Sequence, residues 1–164
     1  PARYAKWLDE VKSLHAGGLA LKTYDDAAGV AARLMKNNPR LPRDRALWLA
    51  QAWAAPLRQA DGTERWCVRG EAAHRVIGAH LFRVEEIAAL YGQITAPVLV
   101  VEGSDDSLGQ WWKERYTLDE FHQRLQAVPA CRRATLPDSG HMLHHDQPER
   151  LAALIQDFLA APAP

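Results

Sequence analysis

The sequence lacks the features of a membrane, nucleic-acid-binding or disulfide-bonded protein. Lys plus Arg and Asp plus Glu each number 20 among 164 residues, and this balance gives no indication of a nucleic-acid partner. No apolar run approaches the length of about 20 residues that a membrane-spanning helix needs. The first residues lack the apolar segment of a signal peptide. The two cysteines, Cys67 and Cys131, have no C-x-x-C spacing, so we expect reduced thiols and a cytoplasmic protein.

Residues 1–93 are predicted to be mainly helical. The first helix covers Tyr4 to Leu14, and the second follows a capping box formed by Thr23 and Asp26. A third helix is predicted to begin at Pro42 and to end near Ala55, because Pro56 follows. Its apolar residues surround much of its girth, so we expect it to be covered on more than one side.

The rest of this first region shows weaker patterns. Asp61-Gly62 is a turn signal, and the alternation in Glu64–Arg69 indicates a short strand. Glu71–Leu81 is interpreted as a loop, and a short helix is predicted to end at Gly92. Little strand is therefore expected before residue 94.

Residues 94–164 have a different pattern, which is typical of a parallel α/β sheet. The valine-rich run Ala96–Val101 predicts a strand buried on both faces, and Thr117 with Glu120 predicts a capped helix. Cys131–Leu136 is the second predicted strand, and a last helix follows with Asp146 as its cap. Because two strands do not form a stable sheet alone, we expect other sequence to complete it.

Candidate catalytic groups follow both predicted strands. Asp105 and Asp106 come directly after the first strand, and His141 follows Gly140 after the second. Loops at the carboxyl ends of parallel strands lie together, and ligands bind there in open α/β sheets. An acid and a histidine held in this way are the acid–base part of a nucleophilic triad.

The motifs P-V-L-V-V-E-G-S-D-D and P-D-S-G-H-M-L-H-H-D-Q-P-E, followed by an amphipathic helix, resemble the C-terminal part of an α/β-hydrolase. The resemblance implies that the catalytic acid lies three residues after the strand-ending glycine, which is Asp106, with Asp105 as the alternative. It implies that His141 is the catalytic histidine. The N-P-R-L-P…A-L-W-L-A pattern of residues 38–50 resembles the serine hydrolase-like branch of this family.

The predicted fold class is therefore α/β. A helical cap, residues 1–93, precedes the C-terminal strand–helix–strand–helix part of an α/β-hydrolase sheet, residues 94–164. The G-x-S-x-G nucleophile elbow of the family is absent, because none of the four serines has the flanking glycines (Ser13, Ser104, Ser107 and Ser139). We expect the N-terminal half of the hydrolase, on a missing segment or a partner chain, to carry the nucleophile.

The predicted function is hydrolysis of a small apolar ester or related acyl compound, without a cofactor. The alternative is a non-catalytic binding or interaction protein with an α/β-hydrolase-like fold. A G-x-S-x-G elbow in the missing segment would favour the enzyme, and a degenerate elbow would favour the alternative.

Two further groups of residues have side chains that occur in binding sites. His144 and His145 could form a metal cluster with His141 and Asp146, but the H-x-x-H-H-D spacing differs from H-E-x-x-H, so no metal site is predicted. Tryptophans could line an acyl pocket, although aromatic residues at helical spacing more often form a core; the residues concerned are Trp48, Trp53, Trp66, Trp111 and Trp112.

Overall fold

The computed structural model describes residues 2–113 and 115–161. Residue 1 of the first predicted region and residues 162–164 of the second lie outside the described residues. The chain divides into two compact units between Leu81 and Phe82, whereas the sequence suggested a boundary near residue 93. The difference arises because the helix Val84–Tyr91 packs against the helix Leu118–Leu125 of the second unit.

The first unit combines helices with a small antiparallel sheet. The strands Thr23–Tyr24, Glu64–Val68 and Ala54–Arg58 pair in that order. All three are short, and only Glu64–Val68 is predicted from the sequence. The elements in chain order are α1 (Ala2–His15), β1 (Thr23–Tyr24), α2 (Ala27–Asn37), α3 (Arg43–Trp53), β2 (Ala54–Arg58), β3 (Glu64–Val68) and a 3-10 turn (Ala72–Arg75), which lies in the predicted loop.

The strand β2 begins where the third helix was expected to continue. The helix α3 ends at Trp53, and Ala54 already pairs with Val68 of β3. Pro56 is part of the strand rather than the residue that closes the helix, and it pairs with Trp66. Proline is tolerated here because β2 is an edge strand, where the missing N–H does not remove a ladder hydrogen bond to a second neighbour.

The cap of α2 also differs from the prediction. Thr23 lies in β1 and pairs with Cys67, so it does not form a capping box. Asp26 is the N-cap residue, and its Oδ1 accepts a hydrogen bond from the Gly29 backbone N–H at 2.8 Å. A single carboxylate therefore satisfies one of the free N–H groups at the start of the helix.

The turn between β2 and β3 lies at the predicted Asp61-Gly62 position. Gly62 has a φ of 83°, a conformation that glycine adopts without a steric penalty. Asp61 Oδ1 accepts hydrogen bonds from the backbone N–H and the hydroxyl of Thr63 at 2.9 and 2.7 Å. These hydrogen bonds lower the pKa of Asp61 below its usual value, and they fix the turn that connects the two strands.

The core of the first unit lies where α2 packs against α3. The buried side chains are small or aliphatic: Val30, Ala31, Leu34, Leu41, Ala46, Ala50 and Ala54. Alanine forms the buried face of α3, whereas Trp48 and Trp53 are 67% and 52% exposed. The prediction that α3 is covered on more than one side is therefore wrong for the described residues.

The second unit has the predicted alternation of strands and helices. The strands Val98–Gly103 and Cys131–Leu136 are parallel, with Val98 opposite Cys131 and Gly103 opposite Leu136. Thr117 and Glu120 form the predicted capping box at the start of the helix Leu118–Leu125. The elements are α4 (Val84–Tyr91), β4 (Val98–Gly103), α5 (Ser107–Trp112), α6 (Leu118–Leu125), β5 (Cys131–Leu136), α7 (Leu143–Asp146) and α8 (Pro148–Ala160).

The strand β4 is less covered than its sequence suggested. All six of its residues are partly exposed, so the prediction of a strand buried on both faces is wrong for this structure. Within residues 2–113 and 115–161, only β5 pairs with β4. The other edge of β4 therefore presents unpaired backbone N–H and C=O groups, which is a site for pairing with another strand.

The helices that the structure describes are too short to span a membrane, and the two cysteines are not bonded to each other. The helix α1 has 14 residues, whereas a membrane-spanning helix needs about 20 residues. No helix in the described part of the chain has the length and apolar character needed to cross a membrane. Cys67 and Cys131 are free thiols, each partly buried in a different unit.

Candidate active site

The loops that follow β4 and β5 are joined by backbone hydrogen bonds. The N–H of Ser104 donates to the Leu136 carbonyl oxygen at 2.9 Å, and the N–H of Asp105 donates to the Ser139 carbonyl oxygen at 3.0 Å. Ser139 is fully buried, and its hydroxyl donates to the Leu136 carbonyl oxygen at 3.0 Å. The loop carrying the two aspartates and the loop carrying His141 are thus held together at the carboxyl ends of the strands, as predicted from the sequence.

Gly103 makes this close approach of the two loops possible. A Cβ atom at this position would lie 2.6 Å from the carbonyl oxygens of both Ser139 and Gly140. Both neighbours are backbone atoms, which cannot move aside by changing a rotamer. The glycine at the end of β4 is therefore required by the loop that precedes His141.

Gly103→Ala is expected to lower the free energy of unfolding by about 2 kcal/mol, because inserting a methyl group into a packed contact costs about 1–3 kcal/mol. Chemical denaturation of the chain in complex with the expected N-terminal half, followed by circular dichroism, measures this change. Gly70→Ala is the matched control, since a Cβ at Gly70 meets no atom within 4 Å. Equal stability of the two variants would contradict the close contact between the loops.

The loop of His141 is fixed at both of its ends. Asp138 has a φ of 53°, in the left-handed region that aspartate tolerates better than most residues. The N–H of Gly140 donates to Asp146 Oδ2 at 2.9 Å. Asp146 is the last residue of α7, and Gln147 is the N-cap residue of α8. The predicted cap role of Asp146 is therefore wrong, and its carboxylate instead holds the residue directly before His141.

A cleft of about 390 Å³ lies beside these loops within the second unit. Asp105 and His141 both line it, and the ring centroid of Trp111 is 6.3 Å from that of His141. Most of the remaining lining is apolar: Val101, Gly103, Leu108, Trp112, Leu118, Phe121 and Leu143, together with Glu102 and Ser107. The structure thus brings His141 and one of the two candidate carboxylates into a single, largely apolar cleft.

Asp106 has a different environment from Asp105. It is the N-cap residue of α5, and its Oδ1 accepts a hydrogen bond from the Gly109 N–H at 2.7 Å. Its side chain is exposed and is not part of the cleft lining. The short helix α5 had not been predicted, although the sequence Asp106-Ser107-Leu108-Gly109 has the aspartate that an N-cap favours.

The other candidate groups are placed as follows. The rings of His144 and His145 are in contact at a tilt of 56°, with their centroids 4.1 Å apart. Within the described residues, no group of three or more His, Cys, Asp or Glu side chains could hold a metal ion. Of the five tryptophans considered, Trp111 and Trp112 line the cleft. Trp48, Trp53 and Trp66 belong to the first unit, where Trp66 packs against the core.

Sequence reasoning missed two polar residues of the second unit. Glu102 lines the cleft, and His122 of α6 lies against it, with Nε2 2.8 Å from Glu102 Oε1. A charged residue directly before the strand-ending glycine, in an otherwise apolar strand, was the signal for Glu102. Nothing in the sequence pairs it with His122, because the contact depends on how α6 packs over the sheet.

Residues 4–154 match the Alpha/beta hydrolase family. The match covers most of the chain, so this protein belongs to the alpha/beta hydrolase family. The predicted resemblance and fold class are confirmed by this match and by solved structures of the same fold. A comparison with curated proteins found no match.

Three solved structures illustrate the shared fold. E-2-(acetamidomethylene)succinate hydrolase has a TM-score of 0.64 and 21% identity, and the match covers 96% of this chain and 53% of that chain. The thioesterase domain from the curacin biosynthetic pathway has a TM-score of 0.66 and 24% identity, with 89% and 47% covered. An esterase from Mycobacterium tuberculosis has a TM-score of 0.66 and 13% identity, with 96% and 48% covered. The chain thus spans about half the length of these proteins.

Proposed function

We propose that this chain supplies the histidine and the acid of a serine hydrolase that cleaves carboxylic esters or related acyl compounds. His141 is the general base, and Asp106 is the acid that orients it. The observation that carries the proposal is the meeting of the His141 loop and the aspartate loop at the carboxyl ends of two parallel strands, beside one cleft. Family membership supports the assignment of the reaction class.

The roles follow from the chemistry of acyl transfer. His141 takes the proton of the serine hydroxyl as the serine attacks the substrate carbonyl, and then gives that proton to the leaving alcohol. The carboxylate accepts the other ring N–H, which fixes the tautomer and stabilises the imidazolium. The same histidine then activates the water that releases the acyl group from the serine.

The assignment of the acid has two candidates in adjacent positions. The resemblance to the family points to Asp106, and the hydrogen bond from the Gly109 N–H restrains its carboxylate at the start of α5. Asp105 is the second candidate, because it lines the cleft together with His141. We propose Asp106 as the acid.

We propose that the nucleophile comes from outside the serines of this chain. Ser139 is fully buried, with its hydroxyl already donated to the Leu136 carbonyl oxygen. None of the four serines has the glycine pair of a nucleophile elbow. We propose that an N-terminal hydrolase half, on a missing segment or a partner chain, contributes the serine and a strand that pairs with the open edge of β4. In this arrangement the first unit is the cap.

The isolated chain, residues 1–164, is expected to associate and to hydrolyse no ester. The physical reason is the unpaired edge of β4, which can pair with other chains when its proposed neighbour is absent. Sedimentation velocity and a p-nitrophenyl ester assay measure the two properties. Co-expression with the nucleophile-bearing half is the control and should give a soluble, active assembly. A monomeric isolated chain that unfolds cooperatively would contradict this arrangement.

The alternative is a binding or interaction protein without catalytic activity. The observation that favours it is the environment of Asp106, whose carboxylate caps α5 outside the cleft. The two functions differ in one measurable property. An assembly with an intact serine elbow that binds acyl ligands, but shows no turnover above the uncatalysed rate, would establish the alternative.

A further inference from the structure

A carboxylate–imidazole pair that has no role in the proposed catalysis lies beside the cleft: Glu102 lines the cleft, and His122, which is not part of the lining, contacts Glu102. The Nε2 atom of His122 is 2.8 Å from Oε1 and 3.0 Å from Oε2 of Glu102. A carboxylate can only accept, so the proton between them lies on Nε2 of the imidazole. The side chains are 26% and 16% exposed for His122 and Glu102. Both oxygens of Glu102 therefore share one donor in a partly desolvated position.

The strand register places Glu102 on the face that α6 covers. Successive strand residues alternate between faces, so Glu102 lies on the same face as Val98 and Val100. Its partner on β5 is Thr135, and Arg133 is the basic residue on the same face of that strand. His122 therefore reaches Glu102 from the helix above the sheet.

The pair joins the strand wall of the cleft to its helix wall. Leu118 lies one helical turn before His122, and Phe121 lies directly before it; both line the cleft, as Glu102 does. Most of the surrounding lining is aliphatic or aromatic, and its other polar members are Asp105, Ser107 and His141 of the loops that follow the two strands. A carboxylate without a partner in such a place costs free energy and favours cationic over neutral ligands. The hydrogen bond from His122 weakens this preference, because its N–H is shared by both carboxylate oxygens and stabilises their negative charge.

We propose that the Glu102–His122 pair determines ligand specificity: His122 masks the Glu102 carboxylate, so that the cleft accepts neutral apolar acyl groups instead of cationic ones. The proposal rests on the proposed function, because it names the substrate class of that site. Neither residue takes part in the bond-breaking step. The pair acts through the charge and shape of the cleft wall, which is tested by binding rather than by turnover.

The test uses His122→Leu in the assembly with the nucleophile-bearing half. Isothermal titration calorimetry measures the binding of hexanamide, a neutral ligand, and of hexylammonium, a cation of equal length. The Trp111 indole resonance in NMR reports whether each ligand occupies the cleft. We expect hexanamide to bind about tenfold more weakly and hexylammonium about tenfold more tightly, and each of these changes corresponds to about 1.4 kcal/mol.

Two control variants separate specificity from a purely structural contact. Glu102→Gln combined with His122→Leu removes the carboxylate and should restore the wild-type preference for hexanamide. His122→Gln keeps a side-chain N–H donor and should retain this preference. Circular dichroism establishes that each variant is folded.

The outcomes are separable from those of the proposed function. An unchanged ratio of hexylammonium to hexanamide affinity in His122→Leu would overturn the masking role. The same shifted ratio in the single and the double variant would also overturn it, because the carboxylate would then not be the cause. Neither result depends on ester turnover, so a failure of the catalytic assignment appears only in the kinetic measurements.

Discussion

His141→Ala is expected to abolish ester hydrolysis by the assembled enzyme while leaving its fold intact. The expected loss in kcat is about 10⁴-fold or more, as found when one member of a triad is removed. The loss is large because no other imidazole lines the cleft near the aspartate loop in the described residues. Steady-state kinetics with a p-nitrophenyl ester, together with circular dichroism of the variant, provide the measurement.

His144→Ala is the matched control for this prediction. Its side chain is also exposed, and it lies three residues further along the chain, but it is not part of the cleft lining. Its ring contacts His145 instead of the cleft. Removing it should therefore change kcat by less than about tenfold, which corresponds to less than about 1.4 kcal/mol of activation free energy. Near-normal turnover by His141→Ala, or an equal loss in His144→Ala, would remove His141 from the mechanism.

Asp106→Asn is expected to lower kcat by about 10⁴-fold, because an amide at the position of a triad acid holds the histidine in the wrong tautomer. The stability of the variant should change little. Asparagine is as good an N-cap residue as aspartate, so its amide oxygen can still accept the Gly109 N–H that Asp106 accepts now. The activity and the free energy of unfolding are therefore expected to respond differently.

Asp105→Asn provides the comparison, since it changes the neighbouring carboxylate in the same way. Asp105 lines the cleft, so the variant is expected to alter substrate affinity more than kcat. A larger loss of kcat in Asp105→Asn than in Asp106→Asn would transfer the role of the acid to Asp105. Two variants with undiminished kcat would show that neither carboxylate orients the histidine.

The second unit could be predicted well because its signals are local. The valine run of β4 and the Thr117–Glu120 capping box are both contained in a few consecutive residues. The capping box lies where it was predicted, and β4 begins and ends two residues later than the predicted strand Ala96–Val101. The strand β2 was missed because Ala54-Ala55-Pro56 is poor in the residues that favour strands. Pairing with β3 across a turn determines its structure, and such a tertiary contact leaves no periodic pattern in the sequence.

The site was predictable as a pair of loops but not in its detailed contacts. Gly140 before His141 and Gly103 before the aspartates indicate where the chain turns. The sequence does not show that Asp146 accepts the Gly140 N–H, or that Asp106 caps a short helix. Each contact depends on the folded path of its own loop. The Gly109 N–H holds the Asp106 carboxylate at the start of α5, outside the cleft that Asp105 lines.

Labelling with a fluorophosphonate tests the central claim most directly, because this reagent reacts with a serine that a histidine activates. Mass spectrometry of the labelled assembly then locates the modified residue. We expect one labelled serine, on the nucleophile-bearing half and outside residues 1–164, and we expect the label to be lost in His141→Ala. A label on Ser104, Ser107 or Ser139, or labelling that persists without His141, would contradict the proposal that this chain supplies the base to a serine carried elsewhere.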